Sequence, residues 1–155
     1  MRHRNRRSPP YASNAEKGVS FTLDNAQTMK REKKQFLLVE DFEDSRFMMR
    51  RLLEMAGYSV IEATDGEQAV RIAVQARPAL ILMDLSLPKM DGLAATRSIR
   101  QKKGLKRVPI VAVSAHDSDE SRAEALDAGC NEYVTKPIDF DRLNDLIQRF
   151  LGPKV

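Results

Sequence analysis

The stretch Ala79-Leu80-Ile81-Leu82-Met83-Asp84 decides the fold of this chain. Five consecutive apolar residues without polar alternation are typical of a strand that is covered on both faces of a parallel sheet. The run ends abruptly at the carboxylate of Asp84. The pattern therefore predicts a buried strand with an acidic group at its carboxyl end.

Similar apolar runs lie on both sides of this stretch, at residues 36–39, 58–61, 110–113 and 133–134. Amphipathic segments separate the runs, so that strand and helix alternate five times over about 120 residues. This alternation predicts an α/β fold, with a doubly wound parallel sheet, right-handed crossovers and helices on both faces.

For two of the predicted helices, the sequence also predicts a buried face or a cap. In the first, at 44–56, Phe47, Met48, Leu52 and Met55 lie near one face, and we expect them, together with Met49, to pack into the core. In the fourth, Asp117 followed by Glu120 predicts a capping box.

Composition narrows the class of protein. The chain has 155 residues, of which 42% are hydrophobic and 31% charged, as expected for one globular domain. No apolar run approaches the roughly 20 residues that span a bilayer. Cys130 is the single cysteine, which we interpret as a buried thiol. With only His3 and His116 beside it, a Cys/His zinc site is excluded.

The positive charge is concentrated at the amino terminus. Residues 1–34 hold nine Lys/Arg against three Asp/Glu, a net charge of +6, whereas 35–155 hold 17 against 19, a net charge of −2. We predict that 1–34 form a basic, disordered extension. A solvated tail, or a true start at Met29, is the favoured interpretation; a transit peptide, or an arm that contacts nucleic acid or membrane, stays open.

Polar residues follow four of the five predicted strands. Glu40 and Asp41 follow the first, Asp84 the third, Ser114 the fourth and Lys136 the fifth. Each has an ordinary structural explanation as a helix-initiating, turn, capping or surface residue. Together they predict one shared crevice, because ligands of open α/β sheets bind beyond the carboxyl ends of the strands.

The chemistry of these groups points to phosphoryl transfer. Clustered carboxylates repel one another, and a hard divalent cation such as Mg²⁺ would compensate them. That cation and Lys136 would attract a phosphoryl group, which Asp84 could accept as a nucleophile. The Ser114 hydroxyl and the Ala115 backbone N–H could stabilise the phosphoryl oxygens.

Five motifs give the chain a family resemblance over about residues 35–152. It resembles the receiver domains of response regulators in two-component signalling. This resemblance implies a flavodoxin-like (βα)5 fold with strand order 2-1-3-4-5. The motifs are Leu38-Val39-Glu40-Asp41, Met83-Asp84 through Asp91-Gly92, Pro109-Ile110 through Ser114-Ala115, Asp127-Ala128-Gly129, and Tyr133-Val134-Thr135-Lys136-Pro137.

The resemblance implies a role for each site residue. Asp84 would be the phosphoacceptor, and Mg²⁺ or Mn²⁺ would be the cofactor. The metal ligands would be Asp41, Asp84, the Ser86 backbone carbonyl and, through water, Glu40. The phosphoryl-binding and switch residues would be Ser114, Ala115 through its backbone N–H, Lys136 and Tyr133, whose ring would change rotamer. Ser86 and His116 would tune dephosphorylation. Glu40 stands where many relatives have Asp, and Ser114 where Thr is commoner.

The implied function is that of a stand-alone, cytoplasmic response regulator with no DNA-binding output domain. A histidine kinase or histidine phosphotransfer protein would donate the phosphoryl group, docking near the first helix and the Pro137 loop. A downstream partner would bind the face of the fourth helix, fifth strand and fifth helix. Beyond its own phosphorylation and dephosphorylation it would not be an enzyme. A phosphorylation-independent binding receiver, or a relay or phosphate sink, is the alternative.

The sequence lacks residues that competing classes of protein would need. A phosphatase with an aspartyl nucleophile usually has a second Asp two positions on, where this chain has Ser86. A nucleotide-binding module would need a Gly-rich phosphate loop, and the pattern G-x-x-x-x-G-K-[ST] does not occur. A degenerate receiver would lack the acidic pair or Lys136, and both are present.

Overall fold

The computed structural model describes residues 32–153. Strands and helices alternate as predicted, and the five strands form one parallel sheet in the order β2-β1-β3-β4-β5. The predicted fold class and strand order are therefore confirmed. The elements are β1 Gln35–Val39, α1 Glu43–Met55, β2 Ser59–Ala63, α2 Gly66–Ala76, β3 Leu80–Asp84, α3 Gly92–Gln101, β4 Ile110–Ser114, α4 Asp119–Ala128, β5 Glu132–Thr135 and α5 Phe140–Leu151.

The core lies on both faces of the sheet. Successive side chains of a strand point to opposite faces, so Leu80 and Leu82 belong to one hydrophobic cluster and Ile81 and Met83 to the other. The first cluster includes residues of α1 and α5, and the second includes residues of α2, α3 and α4. Cys130 is buried in the second cluster as a free thiol, as predicted.

The apolar face predicted for α1 is wrong, although Met49 is buried as predicted. The residues that α1 buries are Met49 and Leu53, whereas Phe47, Met48 and Met55 are 56%, 65% and 77% exposed. A shift of one residue turns a helix face by about 100°. Because α1 is apolar on two adjoining faces, its own sequence does not decide which face meets the sheet.

Side-chain caps start four of the five helices, α1 being the exception. The capping box predicted from Asp117 and Glu120 is wrong: Ser118 caps α4 by accepting the Ser121 N–H at 3.1 Å. Asp117 instead pairs with Arg122 at 3.1 Å. Several capping residues lie in succession here, and the path of the β4–α4 loop decides which of them reaches the helix end.

A close approach fixes the loop after β3. A Cβ atom on Gly92 would lie 2.3 Å from the Asp84 carbonyl oxygen, so no larger residue fits at the start of α3. The absence of a side chain lets the end of β3 and the start of α3 pack together, which fixes the position of Asp84.

Within residues 32–153, no helix is long and apolar enough to cross a membrane. The predicted extension 1–34 lies almost wholly outside the described residues, and its disorder stays a prediction.

Candidate phosphoryl-transfer site

Three carboxylates meet at the carboxyl edge of the sheet. Glu40 and Asp41 follow β1, and Asp84 ends the neighbouring strand β3. Carboxylate oxygens of these three residues lie within 4.8 Å of one another. Glu40 and Asp84 are each 5% exposed, whereas Asp41 is exposed to solvent.

Lys136 reaches this cluster from the end of β5, on the far side of β4. Its backbone N–H donates to the Ser114 carbonyl at 2.7 Å, which fixes the start of the β5–α5 loop. Its Nζ lies 3.0 Å from Glu40 Oε1 and 3.3 Å from Asp84 Oδ2. One ammonium therefore contacts the two buried carboxylates.

The charges of the carboxylate cluster and Lys136 are not balanced. Burial, followed by the neighbouring Asp84 carboxylate, raises the pKa of Glu40 to about 7 against the opposing effect of Lys136. Burial lowers the pKa of Lys136, but its hydrogen bond to Glu40 and the negative charges of Asp84 and Glu40 outweigh this, so that the pKa is raised. The site has more negative charge than its one lysine compensates.

The donor set fits a hard divalent cation. Glu40 Oε2 is buried and has no hydrogen-bonding partner among the described residues. Unpaired carboxylate oxygen is what Mg²⁺ takes as a ligand, with water completing its shell. The exposure of Asp41 leaves the cluster open to solvent on one side.

The remaining contacts of Asp84 and Ser114 are to backbone amides. The Ser86 N–H donates to Asp84 Oδ1 at 2.9 Å, so both oxygens of Asp84 have partners. Ser114 is 2% exposed at the end of β4, and its Oγ accepts the His116 N–H at 3.1 Å. Sequence reasoning named Asp84 and Ser114 as site residues but did not predict these contacts.

Tyr133 is joined to Ser114 through the backbone of His116. The Tyr133 ring is 1% exposed, and its hydroxyl donates to the His116 carbonyl. The backbone N–H of His116 donates to the Ser114 hydroxyl oxygen. Two hydrogen bonds of the His116 backbone therefore link Ser114 to Tyr133, although sequence reasoning had considered only the side chain of His116.

Arg122 is a neighbour of Tyr133 that sequence reasoning missed. Its guanidinium carbon lies 4.9 Å from the centroid of the Tyr133 ring, in cation–π range. Arg122 also pairs with Asp117 in the β4–α4 loop. The eleven-residue separation of Arg122 and Tyr133 gives no local signal, so only the packing of α4 on β5 shows the contact.

A cavity that sequence reasoning did not predict adjoins the acidic cluster. Its volume is about 470 Å³, and its lining is largely apolar. Met48, Leu52, Pro137 and Ile138 contribute to it together with Glu40, Asp84 and Lys136. Because the sequence had assigned the exposed face of α1 to the core, it gave no reason to expect a cavity here.

Comparison with known proteins agrees with the observed fold. The response regulator receiver domain model matches residues 36–148. The polar-differentiation response regulator DivK of Brucella anthropi is 34% identical over 119 residues, covering 77% of this chain and 97% of DivK.

Two solved structures show the same fold. The receiver domain of the Pseudomonas aeruginosa sensor histidine kinase PA1611, which has a magnesium ion coordinated in its active-site cleft, is 39% identical with a TM-score of 0.74, covering 79% of this chain and 100% of that chain. Chemotaxis protein CheY4 of Vibrio cholerae is 30% identical with a TM-score of 0.73, covering 77% and 100%. The chain thus belongs to the response regulator receiver domain family, a class of two-component signalling proteins.

Proposed function

We propose that Asp84 accepts a phosphoryl group from a phosphohistidine of a sensor kinase or phosphotransfer protein. The observation that carries the proposal is the buried Asp84 carboxylate held between the Ser86 N–H and the Lys136 ammonium, within reach of two further carboxylates. A buried, prepositioned carboxylate beside a fixed cation suits nucleophilic attack on a dianionic group.

Asp41, Asp84 and Glu40 would hold a divalent cation, with the Ser86 carbonyl as a further ligand. The orphaned Glu40 Oε2 and the surplus of carboxylates over Lys136 support this, as does the magnesium in the related PA1611 receiver. When bound, the cation would neutralise carboxylate charge and polarise a phosphoryl oxygen.

In the transfer step an Asp84 oxygen bonds to phosphorus while the P–N bond to the donor imidazole breaks. The imidazole keeps the electron pair of that bond and takes a proton. Lys136 shifts from neutralising Asp84 to neutralising the phosphoryl oxygens, and the Ala115 N–H and the Ser114 hydroxyl donate to those oxygens. Ser86 and His116 stay our choice for side chains that tune hydrolysis.

The donor would dock on the exposed apolar surface beside the site. Phe47 and Met48 of α1 are more than half exposed, and the cavity of Met48, Leu52, Pro137 and Ile138 opens next to Asp84. A helix that carries the phosphohistidine could insert an apolar side chain there, which would bring its imidazole to Asp84.

Phosphorylation would bias the α4–β5–α5 face through Ser114. Turning the Ser114 hydroxyl toward the phosphoryl group breaks its bond to the His116 N–H, and His116 also anchors the Tyr133 hydroxyl. The resulting population shift would change the surface offered to a downstream partner. We place this activity in the cytoplasm, where a sensor kinase can reach the receiver.

The test is incubation with Mg²⁺ and acetyl phosphate, followed by intact-mass measurement. We expect one phosphoryl increment in the wild type and none in Asp84→Asn. Asp91→Asn is the matched control, because Asp91 caps α3 outside the cluster and asparagine also caps helices. An increment that persists in Asp84→Asn, or disappears equally in Asp91→Asn, would overturn the proposal.

A further inference from the structure

A basic patch covers part of the amino edge of the sheet, opposite the acidic cluster. It consists of seven solvent-exposed side chains from the middle and the C-terminal cap of α2, from α3 and from the α3–β4 loop. Among residues 32–153, the salt bridges include none of the seven. They are Arg71, Arg77, Arg97, Lys102, Lys103, Lys106 and Arg107.

The segregation of charge along the chain is steep. Residues 68–116 hold nine Lys/Arg against two Asp/Glu, a net charge of +7, while the rest of 35–155 holds eight against 17, a net charge of −9. From 92 to 116 there is no acidic residue. An almost neutral domain thus carries one strongly positive surface, which attracts polyanions over several ångströms.

Tertiary structure brings the patch together and fixes its loop. Helices α2 and α3 pack against each other, and the Arg77 guanidinium lies against Gly104 of the loop. Beneath the loop, half-buried Arg100 donates to the carbonyls of Leu105 at 3.0 Å and Val108 at 2.7 Å. The exposed cations therefore stand on a fixed backbone, which reduces the entropy lost on binding.

The composition of the patch selects its ligand. Lysine is depleted in protein–protein interfaces, which also need apolar or aromatic anchors. Among the described residues of α2, α3 and the α3–β4 loop, the one large apolar side chain that is exposed is Val74, which also offers little for insertion into a membrane. No aromatic ring is exposed in the patch for stacking on unpaired bases. Phosphodiester contacts need only lysine and arginine.

We propose that the basic patch binds the phosphate backbone of duplex nucleic acid without reading base sequence. The patch precedes β4 and the phosphoacceptor edge follows it, so about 13 Å of strand separates the two along β4. Binding at one edge therefore leaves Asp84 accessible at the other. The proposal does not depend on the phosphoryl chemistry.

The experiment measures fluorescence anisotropy of a labelled mixed-sequence DNA duplex of about 20 bp, with the full chain, from about 50 to 200 mM salt. With about four phosphate contacts, we expect affinity to fall about 100-fold over that range. The patch pair Arg97→Gln/Arg107→Gln should lose about tenfold at the lowest salt and reduce the log–log salt slope by about 2. A second patch pair, Lys102→Gln/Lys106→Gln, should behave alike.

The matched control is Arg51→Gln/Arg142→Gln, which removes two exposed arginines outside the patch. We expect less than about a twofold change. Equal losses in control and patch pairs overturn the proposal, and so does binding lost only when Arg2, Arg4, Arg6 and Arg7 become glutamine. Absence of salt-dependent binding, or tighter binding to single strands, polyglutamate or vesicles rich in anionic lipid, overturns it too. Thermal melts verify that each variant is folded.

Discussion

The two edges of the sheet differ in charge, burial and chemistry. At the carboxyl edge Glu40 and Asp84 are buried together, with Lys136 as their cation. At the amino edge the seven cations of the basic patch are exposed, and no acidic side chain lies within the α3–β4 loop. The net charge of −2 for residues 35–155 does not reveal either surface, because their opposite charges nearly cancel.

The two edges differ in whether their like charges are buried or exposed to solvent. Buried charges interact at low effective dielectric, so a carboxylate cluster needs a counter-ion at contact distance and can use the interaction to bind a metal or a phosphoryl group. Exposed charges repel one another weakly and are screened by salt, so they tolerate crowding and act on large polyanions. The carboxyl edge is thus suited to chemistry and the amino edge to electrostatic association.

Lys136→Met should have the largest effect, because it removes the lysine that contacts both buried carboxylates, Glu40 and Asp84. We expect labelling of Asp84 by acetyl phosphate to slow about 100-fold, or roughly 2.7 kcal/mol in activation free energy. The rate is measured by intact mass against time. Lys106→Met, which removes an exposed lysine of the amino edge, is the control and should leave the rate unchanged. A wild-type rate in Lys136→Met would remove the lysine from the mechanism.

Arg100→Gln should destabilise the amino edge by about 2–3 kcal/mol. The guanidinium donates to the carbonyls of Leu105, Val108 and Gly129 and to the Asn131 side chain, and glutamine cannot replace this set. Urea unfolding measures the loss, and exposed Arg97→Gln should stay within about 0.5 kcal/mol. If both variants lose the same stability, the hydrogen bonds of Arg100 do not hold the loop.

Mg²⁺ should stabilise the protein through the carboxyl edge. At a tenfold excess over its dissociation constant the gain is about 1.4 kcal/mol, seen as a rise in melting temperature that EDTA reverses. We expect Asp41→Asn to abolish most of the gain and Asp91→Asn to keep it. A gain of the same size in Asp41→Asn would mean that the ion binds elsewhere.

Tyr133→Phe should have the smallest effect, about 1 kcal/mol in the free energy of unfolding. The variant leaves the His116 carbonyl without its hydroxyl donor while keeping the ring buried. Labelling of Asp84 should stay within twofold, because the hydroxyl that is removed donates to the His116 carbonyl and not to a carboxylate of the cluster. Unchanged stability would indicate that the hydroxyl adds nothing to the anchor, and labelling slowed well beyond twofold would extend the role of Tyr133 to the chemistry itself.

The fold and the members of the site could be predicted because their signals are local. Each strand is a short apolar run, and the polar residue after it is adjacent in sequence. Parallel strands bring their carboxyl ends to one edge, so Asp41, Asp84 and Lys136 had to become neighbours once the alternation of strands and helices was recognised. The family resemblance then supplied a role for each of these residues.

Contacts between elements had no such signal. Which face of α1 meets the sheet, which of Asp117 and Ser118 caps α4, and where Arg122 lies relative to Tyr133 depend on packing across the fold. The basic patch likewise joins arginines of α2 to lysines some thirty residues later, through the packing of α2 on α3. Sequence alone determined the alternation of strands and helices and the polar residues at the strand ends, because backbone periodicity and adjacency in the chain constrain both, and the family resemblance added the strand order. Tertiary structure alone decided which side chains stay exposed and which are in contact, because both depend on how whole helices and strands pack against one another.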